Sequence, residues 1–498
     1  MDGDRPNVLF VVLDTVRKDH LTVYGHDRPT SPTLASLAEE ARVYEQAVTP
    51  APWTLPVHAS LFTGLYPSQH GATQENPYLE GATTLAATLS AAGYATSCYS
   101  SNAWITSYTR LTAGFDDQDN FFRVMPGGVL AGPLARLWKV MNDSDRLRGL
   151  ANRVVAVGNA VHERLASGEG EDSKTPAVID RTLGFAERAA DCGDPFFSFL
   201  NLMDAHHPYH PPEEYAAEFA PGVDSTEVPQ NATAYNCGAI DIDDGEWAAI
   251  RGLYDAEIRH IDAQLDRLFS RLREAGLWEE TMVVVCADHG EMHGEHGLYG
   301  HEFNIYEPLV NVPLLVKHPD LEPGRDDTQV ELHDLYHTIL DATGVESRGM
   351  AMDHRRSLLR GEYRELPEFP GEGECAFVEY HRPLVELNQM ESIAASAGID
   401  VDENSRFYSR MRAARRPDGK YIRTERIADE AYRLDSDPDE RENLVGEGDP
   451  VIEALEATLT EFESRVGGEW KTVEAGGDVL EGMGEDARDR LRDLGYVE

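Results

Sequence analysis

Two carboxylates and an imidazole stand where apolar runs end: Asp14 closes 7–14 (NVLFVVLD), and Asp288 and His289 follow 282–287 (MVVVCA). Carboxylate oxygens joined by one imidazole suit a divalent cation, Ca²⁺, Mg²⁺, Mn²⁺ or Zn²⁺. Such an ion would offset the charge of an ester oxyanion and hold an attacking oxygen against it. Thr54 supplies the candidate nucleophile. It precedes Leu55-Pro56 at the start of a predicted helix through His58, Ser60, Leu61 and Phe62, where backbone N–H groups favour an anion. A hydroxyl there, deprotonated beside a metal, is placed to attack sulfur or phosphorus and form a covalent intermediate. His293, His296 and His301 offer donors for a second metal. Each has a plainer reading: strand-end aspartates cap helices, a threonine at a helix start is an N-cap, and a buried histidine satisfies its own hydrogen bonds.

These residues need a scaffold that brings distant segments together. The run 7–14 reads as a buried parallel strand, and further strands are predicted over 95–100, 196–203 (FFSFLNLM), 282–287, 312–316 (VPLLV) and 376–380. Ser31-Pro32 is an N-cap and N1 pair for a helix carrying Leu34, Leu37, Ala38 and Ala41. A longer helix over about 246–275 carries the apolar stripe Leu253, Ile258, Ile261, Leu265, Leu268 and Leu272. Alternating strands and helices imply an α/β fold, a mostly parallel central sheet flanked by helices with right-handed crossovers. Ligands bind such sheets beyond the carboxyl ends of the strands, so Asp14, Asp204 and Asp288 are expected to converge. Residues 122–175 read as an insertion, either an amphipathic helix over the site or a packed structural helix. The expected organisation is a catalytic domain over 1–370 containing that insertion, a smaller C-terminal antiparallel subdomain over 371–445, and an acidic helical tail over 446–498.

Taken in order, Asp14-Thr15-Val16-Arg17, Thr54-Leu55-Pro56-Val57-His58, Gly64-Leu65-Tyr66-Pro67-Ser68-Gln69-His70-Gly71 and Asp288-His289-Gly290-Glu291 resemble the sulfatase family of the alkaline phosphatase superfamily. Asp204-Ala205-His206-His207-Pro208-Tyr209, Gly294-Glu295-His296-Gly297, Val312-Pro313-Leu314 and Tyr432-Arg433-Leu434-Asp435 extend the likeness over most of 5–345 and 376–445. The resemblance implies a sulfatase-like fold and a metal group of Asp14, Thr15, Thr54, Asp288 and His289. It makes His206 a candidate to contact the ester oxygens or protonate the leaving group. His301 falls in the slot where many sulfatases have an anion-binding Lys, and His58 where an Arg usually supports the nucleophile turn.

One departure matters. Sulfatases carry Cys or Ser, oxidised to formylglycine, in the slot of Thr54; the carbinol carbon of a threonine bears a methyl group and cannot yield that aldehyde. The chain therefore reads as a metal-dependent hydrolase of a sulfuric or phosphoric ester, similar to the phosphodiesterase branch of the superfamily, acting through Thr54. Two alternatives stay open. One is a phospho- or phosphoglycerol-type transferase that hands the intermediate to an alcohol; the other is a non-catalytic relative that binds an anionic glycan.

The charge balance narrows the partners. Against 89 acidic residues stand 44 basic ones, a net charge of -45, and lysine occurs only as Lys18, Lys139, Lys174, Lys317, Lys420 and Lys471. A polyanion does not bind nucleic acid or an anionic membrane non-specifically, which leaves a small-molecule or glycan ester as the expected partner. In molar salt the Debye length is ~3 Å and self-repulsion is screened, so a salt-rich cytoplasm is expected. Five cysteines without CxxC spacing fit a reduced compartment. The first residues lack a basic stretch and cleavage site, and no apolar run reaches about 18 residues. The expectation is a halophilic, cytoplasmic protein without a membrane span; the oligomeric state is left open.

Overall fold

The computed structural model describes residues 5–121, 173–348, 352–360 and 375–467, together with Arg488. In chain order the strands of its first part are β1 (Asn7–Leu13), β2 (Arg42–Val48), β3 (Ala95–Ser100), β4 (Asp117–Asp119), β5 (Phe196–Leu202), β6 (Thr281–Cys286), β7 (Met292–His293), β8 (Tyr299–Gly300), β9 (Asn311–Lys317) and β10 (Gly324–Glu331). β7 and β8 form a small ribbon. The other eight make one sheet in the order β10-β2-β9-β6-β1-β5-β3-β4. Every pairing in it is parallel except the two that β9 makes, with β2 and β6. The expected mostly parallel sheet is therefore present, with one reversed strand.

β1 lies in the middle, registered through Val12 with both Asn201 of β5 and Cys286 of β6. All seven residues of β1 and all six of β6 are buried. A strand covered on both faces has no reason to alternate, and this is why both read as unbroken apolar runs. β2 (RVYEQAV), β4 (DQD) and β10 (GRDDTQVE) escape the sequence reading for the opposite reason. They lie at or next to the sheet edges, where solvent accepts charged side chains.

Helices pack on the sheet in two groups. Pro32–Leu37, Thr175–Cys192 and Glu213–Phe219 gather around the long helix Asp244–Glu274, while Leu85–Ala91 and Asp334–Thr343 contact Thr54–Thr63. The long helix starts where Asp243 accepts from the Glu246 N–H and Glu246 reciprocates, a capping box. Its predicted stripe from Leu253 to Leu272 is buried in the main core.

A second, antiparallel sheet follows: β11 (Ala376–Tyr380), β12 (Met411–Arg416), β13 (Gly419–Thr424) and β14 (Glu430–Tyr432). One face sets Val378, Tyr380 and Ile422 against Ile305, Leu309 and Val310. The other sets Phe377, Ala414 and Tyr421 against Ile452, Leu455 and Leu459 of the helix Pro450–Phe462, so this part of the acidic C-terminal segment packs on the sheet. The expected insertion falls, up to residue 172, outside the described residues, as does most of the tail beyond 467. Among the described residues no helix is long and apolar enough to cross a membrane.

Candidate active site

Asp14 leaves β1 and Asp288 follows β6, its hydrogen-bonded neighbour, so the two carboxylates emerge at one carboxyl edge. Thr15 turns the chain there with a φ of 58°, a left-handed conformation held by three contacts. Its N–H donates to Asp288 Oδ1 (3.3 Å), its hydroxyl donates to Ala205 O (2.6 Å), and the hydroxyl of Tyr254 donates to its carbonyl (2.7 Å) while accepting from the Arg17 N–H. Thr15, expected among the metal ligands, thus spends its hydroxyl on main-chain carbonyls and braces the cradle.

Each prospective ligand has one atom tied and one left over. Asp14 Oδ2 accepts amide hydrogens from Asn102 and Asn201, each at 2.9 Å. Asp288 Oδ1 accepts from the N–H groups of Thr15 and His289 (3.0 Å), and His289 Nδ1 donates to Gly290 O (3.0 Å). Among the described residues Asp14 Oδ1, Asp288 Oδ2 and His289 Nε2 are buried with no hydrogen-bond partner. The donor atoms of these three side chains lie within 4.8 Å of one another. An orphaned buried polar atom is costly, and one divalent cation satisfies all three, so the donor set fits a metal. The electrostatics agree. Burial and the neighbouring Asp288 push the Asp14 carboxyl up to about 7, and burial pushes Asp288 up to about 7 and His289 down to about 4.

Thr54 follows β2, one of the strands missed in the sequence. Trp53 is the N-cap and Thr54 the first residue of the helix Thr54–Thr63, so Thr54 is not a capping threonine. Its Oγ1 accepts from Asn102 Nδ2 at 3.3 Å, the nitrogen that also donates to Asp14. One turn on, His58 Nδ1 donates to Thr54 O (2.9 Å), and its ring meets Phe199 edge-on at 5.7 Å. Burial holds His58 at about 3, so it is a neutral packing group and does not replace the charge of an arginine. Asn102 and Asn201, which hold Asp14 Oδ2 in the site, are side chains the sequence reading passed over. The signal for Asn201 was its amide near the carboxyl end of the mostly apolar, fully buried FFSFLNL.

The histidines divide by charge. His301 lies between Glu291 (Nδ1 to Oε1, 3.2 Å) and Glu302 (Nε2 to Oε1, 3.4 Å), with its ring 4.6 Å from that of His289. Burial alone would lower it, but Glu302 and Glu291 override burial and raise it to about 10. The two carboxylates thus favour the imidazolium form of His301, at the position where an anion-binding lysine is expected. His206 donates Nδ1–H to His207 O (2.6 Å), and burial with the nearby His207 and His301 holds it well below its ordinary value. Of the two, it is His301 and not His206 that holds an extra proton to give. Glu291 also accepts from His207 Nδ1 (3.1 Å), and Gly290 before it is required: a Cβ there would meet Pro308 O at 1.9 Å.

Two further expectations part from the structure. Asp204 does not join Asp14 and Asp288; the Thr175 hydroxyl donates to it and His260 Nε2 stands 3.9 Å away. His293 accepts the Tyr209 hydroxyl (3.0 Å) or donates to it, and His296 stacks on Tyr306 at 3.9 Å, so neither gathers with His301. The side chains that do are His206 and His207. Beside Thr54 runs a slot lined by Trp53, Trp104, Gln74, His301, Glu302 and Glu386, its two indoles edge to face at 5.8 Å.

Comparison with known proteins identifies the family and the fold. The sequence model of the family described as Sulfatase matches residues 6–345. The chain is 26% identical over 463 residues to the uncharacterized sulfatase YidJ of Escherichia coli, covering 89% of this chain and 83% of that one. It is 27% identical over 513 residues to the multifunctional alkaline phosphatase superfamily protein PehA of Trinickia caryophylli, covering 91% and 93%. Its fold is similar to the crystal structure of the phosphonate monoester hydrolase of Agrobacterium radiobacter, with a TM-score of 0.66 over 92% of this chain and 96% of that one at 20% identity.

Proposed function

The chain belongs to the sulfatase family, and on that premise we propose that it is a metal-dependent hydrolase that cleaves a sulfuric or phosphoric ester with Thr54 as its nucleophile. One observation carries the reading: the Asn102 amide nitrogen that donates to Thr54 Oγ1 also donates to Oδ2 of Asp14, whose other oxygen gathers with Asp288 Oδ2 and His289 Nε2 as three buried donor atoms with no hydrogen-bond partner among the described residues. A divalent cation held by those three side chains supplies positive charge against the ester oxygens.

The remaining chemistry belongs to the chain. The open N–H groups at the start of the helix Thr54–Thr63 and the His301 imidazolium favour the anionic group being transferred. Thr54 Oγ1 forms a bond to sulfur or phosphorus and gives up its proton to solvent. The bond to the ester oxygen breaks, its electron pair leaves with the alcohol or phenol, and His301 is placed to return a proton to it. Water then cleaves the Thr54 ester and restores the hydroxyl. The name of PehA, multifunctional, and that of the phosphonate monoester hydrolase support a centre tolerant of more than one ester type. The substrate is a small-molecule or glycan ester, and the acidic surface favours a salt-rich cytoplasm as the place of action.

The test is a panel of nitrophenyl sulfate, phosphate, phosphodiester and phosphonate, assayed in high salt with Ca²⁺, Mg²⁺, Mn²⁺ and Zn²⁺ in turn. Metal-dependent release of nitrophenol from at least one ester is expected. No turnover with any pairing, in chain shown to hold metal, would overturn the reading.

A further inference from the structure

The structure assigns Asn102 a catalytic role: its side-chain amide donates to the Thr54 oxygen as water expels that oxygen from the covalent ester. The inference rests on Thr54 being the nucleophile.

The Asn102 amide nitrogen has two hydrogens and three neighbours: Asp14 Oδ2 at 2.9 Å, Met203 Sδ at 3.2 Å and Thr54 Oγ1 at 3.3 Å. The shortest contact takes one hydrogen. The second is shared between a thioether, a weak acceptor, and the Thr54 oxygen. When the bond from Oγ1 to sulfur or phosphorus breaks and the electron pair returns to Oγ1, that oxygen becomes much the stronger acceptor and takes the hydrogen from sulfur. The contact is thus stronger on the way through the reaction than at rest, which is what makes a hydrogen bond catalytic.

The amide is aimed for this. Asn102 Oδ1 accepts the Trp104 N–H (2.8 Å), which fixes Nδ2 toward Asp14 and Thr54, and the Asn102 N–H donates to Ser100 Oγ (3.0 Å). The side chain is buried among these partners. Expulsion of the Thr54 oxygen is the step that needs it most. A threonine alkoxide is a far poorer leaving group than a nitrophenolate, so with a nitrophenyl ester the second half of the reaction is the slow one.

Asn201 provides a control within the fold. It makes the same 2.9 Å contact to Asp14 Oδ2, but has no hydrogen bond to Thr54. At saturating metal, Asn102→Ala should lower kcat with a nitrophenyl ester about 100-fold, the usual loss for one such donor. Mass spectrometry should show the transferred group accumulating on the peptide that contains Thr54. Asn201→Ala should weaken metal binding and accumulate no adduct, and Asn102→Ser, keeping a donor of shorter reach, should fall between Asn102→Ala and the wild type.

Equal losses in Asn102→Ala and Asn201→Ala without an adduct, or full recovery of Asn102→Ala by excess metal, would reduce Asn102 to a brace for Asp14. If Asn102→Ala fails to fold, Asn102→Ser must show the adduct or the inference fails. A Thr54→Ala chain as active as wild type would remove the underlying reading; an inactive Thr54→Ala beside a fully active Asn102→Ala would remove only this inference.

Discussion

Asp14 and Asp288 end neighbouring parallel strands, and each keeps one carboxylate oxygen tied to amide hydrogens and turns the other, unpaired among the described residues, toward His289 Nε2. Burying two carboxylates side by side disfavours charge on both, so a cation is expected to complete the group. Chelation should abolish ester cleavage. Asp14→Ala and Asp288→Ala should each lose bound metal, measured by elemental analysis, and about 1000-fold or more in kcat/KM. His289→Asn should be milder, because an amide oxygen can replace the imidazole nitrogen. Activity retained in chain verified as metal-free would be decisive against this centre.

The same pair predicts how stability depends on pH. Without metal both carboxyls sit at about 7, raised from an ordinary value near 4, chiefly by burial. The unfolded chain therefore releases these protons at lower pH than the folded chain. Metal-free protein should lose stability progressively as pH rises from about 4 to about 7, and gain none back above that. Metal-loaded protein should escape the loss, and metal affinity should itself rise over the same window as the cation displaces the protons. Thermal melts of both forms across this range decide it; parallel curves would mean that the carboxylates are not metal ligands.

The parts of this centre legible in the sequence are those whose cause is local. A strand buried on both faces is apolar throughout, so a carboxylate that ends it stands out, as Asp14 does after NVLFVVL. The second contributions are not local. Asn102 lies 88 residues from Asp14 and Asn201 lies 187 from it, and nothing in their neighbourhoods announces the partner. Protonation preferences were equally hidden, since Glu291 and Glu302 close around His301 and favour its charged form, while burial beside His207 and His301 favours a neutral His206. Proximity in sequence misled once. His293 and His296 lie close to His301 along the chain, yet the β7–β8 ribbon directs His293 to Tyr209 and His296 to Tyr306.

A net charge of -45 predicts a salt response. Screening reaches about 10 Å at 0.1 M salt and about 3 Å at 1 M, so repulsion among exposed carboxylates weakens steeply over that interval. The melting temperature should rise by several degrees from 0.1 to 2 M KCl, and more than with sucrose of matched osmotic strength. An unchanged or falling melting temperature would mean that surface ion pairs, such as Arg110 with Glu80 at 2.8 Å, matter more than the net repulsion.

Thr54 is the prediction most open to failure. Its oxygen sits at the first residue of a helix, beside the metal cradle and within reach of the Asn102 amide, an arrangement that stabilises an ionised hydroxyl without any change to the side chain. The peptide containing Thr54 should therefore appear at its encoded mass in the resting protein. Thr54→Ala should lose about 1000-fold or more in kcat while keeping its metal, because none of the contacts that hold Asp14, Asp288 and His289 involves the Thr54 side chain. The chemistry also orders the substrates. A formylglycine hydrate expels sulfate by re-forming its aldehyde, a route closed to threonine, so the Thr54 ester must be cleaved by water. Sulfate turnover should then be the slower activity wherever phosphate esters are also accepted. Full activity in Thr54→Ala, or sulfate turnover far above phosphate turnover, would show that the nucleophile has been misassigned.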